Sequence, residues 1–216
     1  MGKFICVALI ITQLLSCGMP YFGHINSMRN IQATIILVNG ETLTGLVSTG
    51  AWKVKGSTSI NYISETKNIM QVIPLPQVKT LEINNVHYQP VYLQLTTLRN
   101  RLVLVQKLSK PTDKIQLYSY QSGLENQTEN GMINTQTNSY YYNLSNNTSS
   151  IAYSIDGRNC VPNFNKKVSA LVVDCYTLSQ KIKNKEKGFY YSQIGSVPER
   201  RLQVWQNINK EYTNCK

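Results

Sequence analysis

The amino-acid sequence predicts an α+β fold, in which an antiparallel β-sheet or small barrel is followed by a C-terminal helical hairpin. Strand-like runs with turn residues between them recur through residues 31–157. In residues 158–216 the apolar side chains recur with the spacing of an α-helix instead. Strands first and helices last indicate an α+β architecture rather than alternating α/β units.

The β-rich region opens with a predicted hairpin at Asn39-Gly40. Residues 31–38 are mostly β-branched or apolar, and residues 41–47 alternate polar with apolar side chains. Asn-Gly between two such runs is typical of a type I′ turn, because both of its central residues need positive φ. Further strands are predicted over residues 59–63, 77–83, 102–106 and 114–120.

Residues 121–148 are predicted to form a polar, Asn-rich loop. Their composition of Asn, Thr, Ser and Gln offers little apolar surface to offset the entropy of ordering. Within and after this segment, residues 138–144 and 149–155 could still pair as a hairpin around Asn146-Asn147.

The tail, residues 158–216, is predicted to be helical. A first helix begins near Lys167 and continues through Ile182, with apolar residues or cysteine at positions 168, 171, 172, 175, 178 and 182. A second helix begins near Pro198, which suits a first helical turn. Its apolar face is marked by Leu202, Trp205, Ile208 and Tyr212.

Residues 1–17 are predicted to be a signal peptide, followed by a tether over residues 18–30. Lys3 supplies a positive charge, residues 4–15 are mostly apolar, and small residues follow at 16–18. The apolar run is too short for a membrane-spanning helix, which needs about 20 residues. No later stretch of the sequence approaches that length.

Two modes of cleavage remain open. Leu14-Leu15-Ser16-Cys17 resembles a bacterial lipobox, in which the cysteine becomes the lipidated first residue, although Leu15 departs from the usual small or β-branched residue. The alternative is ordinary cleavage after Gly18. A lipid on Cys17 would hold the protein to a membrane surface without spanning it.

The charge is strongly basic, with 22 Lys and Arg against 11 Asp and Glu. Residues 158–216 alone carry eleven basic and four acidic residues. The densest run, residues 181–187, has no aromatic residues for stacking and is interpreted as a solvated helix end whose lysines complement the helix dipole. We therefore expect no nucleic-acid partner, while attraction to anionic lipid or glycan remains an alternative.

The sequence indicates no catalytic site, no metal site and no cofactor. The histidines are His24, in the tether, and His87, which is interpreted as an exposed loop residue without a marked nucleophile. No Cys or His spacing is typical of zinc ligands. The tyrosines could line a sugar-binding groove, but strand packing is the favoured interpretation.

Three cysteines remain if Cys17 is lipidated or removed, and three pairings are possible among them. Cys175 lies on the apolar face of the first predicted tail helix, and Cys215 follows the second. Antiparallel helices would bring these two residues together, so a disulfide between Cys175 and Cys215 is predicted, with Cys160 left unpaired. The alternative is that Cys175 is a small buried core residue.

Three short motifs resemble those of a family of uncharacterised exported proteins of Gram-negative bacteria. They are residues 34–45, Ile115-Gln-Leu-Tyr118, and the tail between Asp174-Cys175 and Asn214-Cys215. The resemblance covers most of the mature chain, and Cys160 departs from it. The first motif also resembles the opening hairpin of small Sm-like barrels, which is a likeness of fold and not of function.

Together these features predict an exported cell-envelope protein of the periplasm, outer membrane or cell surface. A non-enzymatic structural or ligand-binding role is expected. The alternatives are an envelope hydrolase with an unrecognised site, and a basic module that binds anionic lipid or glycan.

Overall fold

The computed structural model describes residues 28–49, 59–66, 68–96, 99–128, 131–145, 150–192 and 194–215. The strands in these ranges are β1 (Met28–Leu37), β2 (Thr42–Thr49), β3 (Ser59–Ser64), β4 (Met70–Pro74), β5 (Val78–Ile83), β6 (Val86–Thr96), β7 (Arg99–Lys107), β8 (Ile115–Thr128), β9 (Gly131–Leu144) and β10 (Ile151–Ser154). A 3₁₀ turn spans Leu75–Gln77, and the helices are α1 (Phe164–Leu171), α2 (Tyr176–Lys183) and α3 (Pro198–Asn214). The predicted α+β fold is confirmed.

The strands form one sheet that closes on itself at one end. Its order is β10-β9-β8-β7-β6-β5-β1-β2-β3-β4. β10 also pairs with β6 in parallel, with Ile151 opposite Tyr92 and Ala152 opposite Leu93. Strands β6 to β10 therefore close into a five-stranded barrel, and the remaining strands continue from the first half of β6 as an antiparallel sheet.

The N-terminal strands have their own apolar core. β1 lies between β2 and β5, so that Ile35 is paired with Leu43 on one side and with Leu81 on the other. Ile35, Val47 and Leu81 are fully buried there.

Alternation along the barrel strands separates its interior from its outer face. Tyr118 of β8 and Tyr141 of β9 belong to the buried cluster inside the barrel. Their neighbours Leu117 and Tyr142 belong instead to the cluster beneath the helices. Because Tyr88, Leu102 and Leu104 pack against the N-terminal core, the barrel lies between that core and the helices.

Helix α3 is held to the barrel by a buried amide. Asn209 Oδ1 accepts a hydrogen bond from the backbone N–H of Ile115 at 3.0 Å. Asn209 Nδ2 donates to Asp113 Oδ2 at 2.9 Å. These bonds satisfy polar groups at the start of β8 that would be costly to bury unpaired.

The first tail helix is two helices rather than the single one predicted through Ile182. α1 and α2 run antiparallel, since Ser179 Oγ donates to the Ser169 carbonyl and Asn165 Nδ2 donates to the Lys183 carbonyl. The chain leaves helical geometry between Val172 and Cys175. Folding back lets both helices bury their apolar faces in the core beneath α3, which periodicity alone does not reveal.

The predicted polar loop over residues 121–148 is corrected by the structure. β8 continues to Thr128 and β9 begins at Gly131, and the two pair from Ile115↔Leu144 to Thr128↔Gly131. Backbone hydrogen bonds of a ladder do not depend on side-chain polarity, and Thr and Tyr are favourable in strands. β10 pairs with β9 through Tyr153↔Tyr142, as the possible hairpin anticipated.

The hairpin at Asn39-Gly40 is confirmed, but its turn is not type I′. Gly40 has φ of +90°, whereas Asn39 does not have positive φ. The Gly40 N–H bonds to the Leu37 carbonyl and the Leu37 N–H to the Glu41 carbonyl, which makes a three-residue loop ending in a left-handed glycine. Positive φ at both turn residues occurs instead at Asn84 and Asn85, between β5 and β6.

Two further boundaries differ from expectation. β1 begins at Met28, inside the predicted tether of residues 18–30. Residues 1–17, including the predicted signal peptide, lie outside the described ranges. Among the helices described, none is long and apolar enough to cross a membrane.

Candidate ligand-binding cleft

The predicted disulfide is present. Cys175 and Cys215 are bonded, with a Cα–Cα distance of 5.9 Å. Cys175 lies just before α2 rather than on the face of the first tail helix, and Cys215 directly follows α3. Cys160 is a free, buried cysteine, while the predicted lipidation site Cys17 lies outside the described ranges.

Polar contacts surround the disulfide and hold the neighbouring segments together. The Tyr212 hydroxyl donates to the Asp174 carboxylate at 2.8 and 2.9 Å. Lys114 Nζ donates to the Cys215 carbonyl at 2.8 Å and lies 4.8 Å from the centre of the Tyr212 ring. This cluster ties the end of α3 to the start of β8 and to the segment between α1 and α2.

His87 lies on strand β6 rather than in the predicted loop. It is opposite Glu82 on β5, and its Nδ1 is 3.8 Å from Glu82 Oε2. Both side chains are largely open to solvent, 63% and 45% exposed, which is typical of a surface cross-strand pair. In the described part of the chain, no group of three His, Cys, Asp or Glu residues could hold a metal ion.

A cleft lies between strands β9 and β10 and helix α1. Its volume is about 510 Å³, and it is lined by Tyr142, Leu144, Tyr153, Arg158, Asn159, Lys167, Ala170 and Leu171. Apolar and aromatic side chains supply most of this lining. Two of the lining residues are basic and none is acidic.

The aromatic floor of the cleft is fixed by the core beneath it. Tyr142 is 3% exposed and stacks on Trp205 of α3, with ring centres 4.4 Å apart. Tyr153 is its direct cross-strand partner on β10, with ring centres 6.1 Å apart. Strand pairing and helix packing therefore hold this floor in place before any ligand arrives.

The two cations come from the segment that joins β10 to α1 and from α1 itself. Arg158 is exposed and follows the turn at Gly157. Lys167 is half-buried, and its Nζ donates to the backbone oxygens of Arg158 and Val161. These bonds draw the Arg158 segment toward α1, so that both positive charges border the same cleft.

Tyr142 in the floor and Cys160 beneath it are not activated for nucleophilic chemistry. Burial raises the pKa of Tyr142, and burial also raises the pKa of Cys160, which is hydrogen-bonded to Tyr142, to about 12. A nucleophilic thiol needs a lowered pKa and partial exposure, and Cys160 has neither. Neither side chain is therefore a candidate nucleophile.

Comparisons with known proteins give no match: no family model, no curated protein and no solved structure is similar to this chain.

Arg158, Lys167 and Tyr153 were not singled out by the sequence as site residues. Arg158 follows Asp156-Gly157, a turn signal after a short strand, and this was the available hint. The convergence of the three residues depends on the pairing of β10 with β9 and on the docking of α1, which are tertiary features.

Proposed function

We propose that this protein is a non-enzymatic, exported ligand-binding protein of the cell envelope, held at a membrane surface by a lipid on Cys17. Its ligand is an anionic amphiphile, which carries a carboxylate or phosphate headgroup on an apolar body. The observation that carries this proposal is the lining of the cleft, where an aromatic and aliphatic floor meets Arg158 and Lys167 with no acidic residue.

Shape and charge both support this class of ligand. A volume of about 510 Å³ lies within the usual range for small-molecule sites, which are mostly apolar with a few placed polar groups. Tyr153, Leu144 and Leu171 are partly exposed and offer a surface for the apolar body. Arginine is suited to paired hydrogen bonds with a carboxylate or phosphate, and Lys167 adds a second positive charge beside it.

The alternative of an envelope hydrolase has less support. The pKa values of Tyr142 and Cys160 are raised by burial, away from the range useful for catalysis near neutral pH. His87 does not lie in a catalytic cleft, because it is an exposed residue that faces an exposed Glu82. The alternative of a basic module that binds anionic lipid or glycan overlaps with the proposal, because Arg158 and Lys167 belong to the basic tail.

The proposal is tested by calorimetric titration of the full chain with octyl phosphate, octanoate and octanol, each below its aggregation threshold. We expect the two anions to bind about tenfold more tightly than octanol, because a charge-assisted hydrogen bond contributes on the order of 1.5–3 kcal/mol. Arg158→Gln and Lys167→Gln should each weaken octyl phosphate binding by about five- to tenfold.

Lys166→Gln is the matched control, since Lys166 is the exposed neighbour of Lys167 and does not line the cleft. Lys167→Arg should retain most of the affinity, because it keeps the charge. Octanol binding as tightly as octyl phosphate would contradict the proposal. An equal loss in Lys166→Gln and Lys167→Gln would do so as well.

A further inference from the structure

A second concave site is formed by a row of side chains across four neighbouring barrel strands. Tyr88 of β6 is paired with Gln106 of β7, and Gln106 is paired with Ser119 of β8. Ser119 is paired in turn with Tyr140 of β9. Directly opposed residues project on the same face of a sheet, so this row places an amide and a hydroxyl between two aromatic rings.

The row forms the floor of a trough on the outside of the barrel. Its volume is about 290 Å³, and it is lined by Tyr88, Gln106, Leu108, Ser119, Asn138, Tyr140 and Leu202. Leu202 belongs to α3, so the helix forms one wall. None of these lining residues carries a charge, in contrast to the cleft beside α1.

The polar groups in the trough lack protein partners. Within the described ranges, the side chains of Gln106, Ser119 and Asn138 form no hydrogen bond with another protein group. Tyr140 is only 7% exposed, and its hydroxyl likewise has no protein partner in the part of the chain that the structure describes. Among the described residues the Tyr140 hydroxyl is not one of the buried unpaired polar atoms, so it opens into the trough together with these amide and hydroxyl groups and can bond to a group that comes from outside.

The lining residues indicate the chemical class of ligand that the trough would bind. Amides and hydroxyls can both donate and accept hydrogen bonds, which matches a ligand that carries many hydroxyl groups. Tyrosine rings offer flat apolar faces together with a polar tip. Glu199 contributes, after burial, to raising the pKa of Tyr140, and a carboxylate this close disfavours an anionic ligand.

We propose that this trough is a second binding site, distinct from the cleft, and that it takes a sugar unit of a neutral oligosaccharide. The ring of Tyr88 contacts an apolar face of the sugar, and the Tyr140 hydroxyl bonds to the sugar at the other end of the row. Gln106, Ser119 and Asn138 bond to its hydroxyl groups. This site is independent of the amphiphile cleft, because the two share no lining residue.

The test is saturation-transfer NMR and calorimetry on the full chain with cellotriose, maltotriose and chitotriose as the probes. We expect at least one of the three trisaccharides to bind, and its affinity to be insensitive to salt because no charge is involved. Gln106→Ala and Tyr140→Phe should each weaken binding by about fivefold or more, since each removes a hydrogen-bonding group from the trough.

The control variants distinguish binding in the trough from binding at the rest of the surface and from binding in the cleft. Tyr92→Ala and Gln71→Ala alter an exposed tyrosine and an exposed glutamine outside the trough, and should leave the affinity unchanged. Arg158→Gln, which tests the cleft, should also leave it unchanged. Ser119→Ala is a further conservative variant if either of the first two lowers the unfolding temperature.

Several outcomes would overturn the proposal. One is the failure of all three trisaccharides to bind at concentrations up to about 10 mM, roughly tenfold above a millimolar dissociation constant. Another is tighter binding of trigalacturonate, an anionic trisaccharide, than of the neutral probes. A third is an equal loss of affinity in Tyr92→Ala and Tyr140→Phe.

Discussion

Cys160 illustrates how burial sets the chemistry of a single residue. Its side chain is fully buried in the core beneath the helices and hydrogen-bonded to Tyr142. Removing the thiolate from water is unfavourable, so burial raises the pKa of this thiol from 9.0 to about 12. Burial thereby keeps this cysteine unreactive without a disulfide partner.

The raised pKa predicts an alkaline loss of stability. Between pH 9.0 and about 12 the thiol of the unfolded chain has lost its proton while the folded chain retains it. Stability from this group is therefore complete below pH 9 and falls as the pH rises through that window. In Cys160→Ala, the plot of unfolding free energy against pH should be shallower by about 1.4 kcal/mol per pH unit.

Urea unfolding at several pH values between 8 and about 12 measures this slope. Tyr141 and Tyr212, whose pKa values burial raises to about 12, contribute to the slope in both proteins and cancel in the comparison. Cys160→Ser serves as a second variant. Parallel slopes in the wild type and Cys160→Ala would show that the thiol ionises as readily in the folded chain as in the unfolded one.

At the scale of elements, the tail is three short helices held together by contacts between distant residues. α1 and α2 have eight residues each, a length at which isolated helices are not stable in water. Their order comes from the core around Trp205, from the Ser179–Ser169 bond and from the disulfide at the end of α3. The disulfide closes the segment that contains both α2 and α3.

Loss of the disulfide should destabilise the protein strongly. The bond closes a loop with a sequence separation of 40 residues, which in the chain-entropy model contributes about 4 kcal/mol to the free energy of unfolding. The double variant Cys175→Ala/Cys215→Ala should lose about this amount in urea unfolding under oxidising conditions. A reducing agent should bring the wild type to the level of the variant.

The single variant Cys160→Ala is the matched control, because it removes a buried cysteine and leaves the disulfide intact. A reducing agent should still destabilise this control. A difference of less than about 1 kcal/mol between the oxidised wild type and the double variant would mean that the native bond is strained or that the reduced chain retains structure.

At the scale of the whole molecule, the barrel lies between the N-terminal core and the helices, which cover different parts of its outer surface. The N-terminal core covers the outer face of β6 and β7, and the helices cover that of β8 and β9. Alternate residues of β9 line both candidate sites: Asn138 and Tyr140 the trough, Tyr142 and Leu144 the cleft. One strand face is thus shared between a neutral site and a basic one.

The predicted localisation of the protein is tested at its N-terminus. Expressed as the full chain in a Gram-negative host, the protein should be recovered from the membrane fraction with Cys17 as its acylated first residue. Intact-mass measurement decides this. Cys17→Ala should move the protein to the soluble exported fraction, whereas Cys6→Ala, a matched change within the apolar run, should leave it membrane-bound.

An unmodified N-terminus at Met19 would instead establish ordinary cleavage after Gly18 and refute the lipid anchor. Export itself would still hold in that case. Retention of the uncleaved chain in the cytoplasm would refute both.

Sequence reasoning was accurate where a feature depends on neighbouring residues. Alternation placed β2, β3, β5, β7 and the first part of β8, and Asn-Gly placed the first hairpin. It failed where polar composition was taken to exclude a strand, as in residues 121–144, since ladder hydrogen bonds are made by the backbone. It also placed the type I′ turn at Asn39-Gly40, although Asn84-Asn85 adopts that geometry.

The sequence by itself determined which faces are apolar and where helices replace strands, and it favoured the pairing of Cys175 with Cys215 without excluding the others. Only the tertiary structure decided that β10 returns to β6 to close a barrel, that the first tail helix folds back at Val172–Cys175, and that two concave sites open along β9. The physical reason is that periodicity specifies the side of an element that must be buried, but not its partner. Partners such as Ile151 and Tyr92 are far apart in sequence, and the packing of the whole chain selects them.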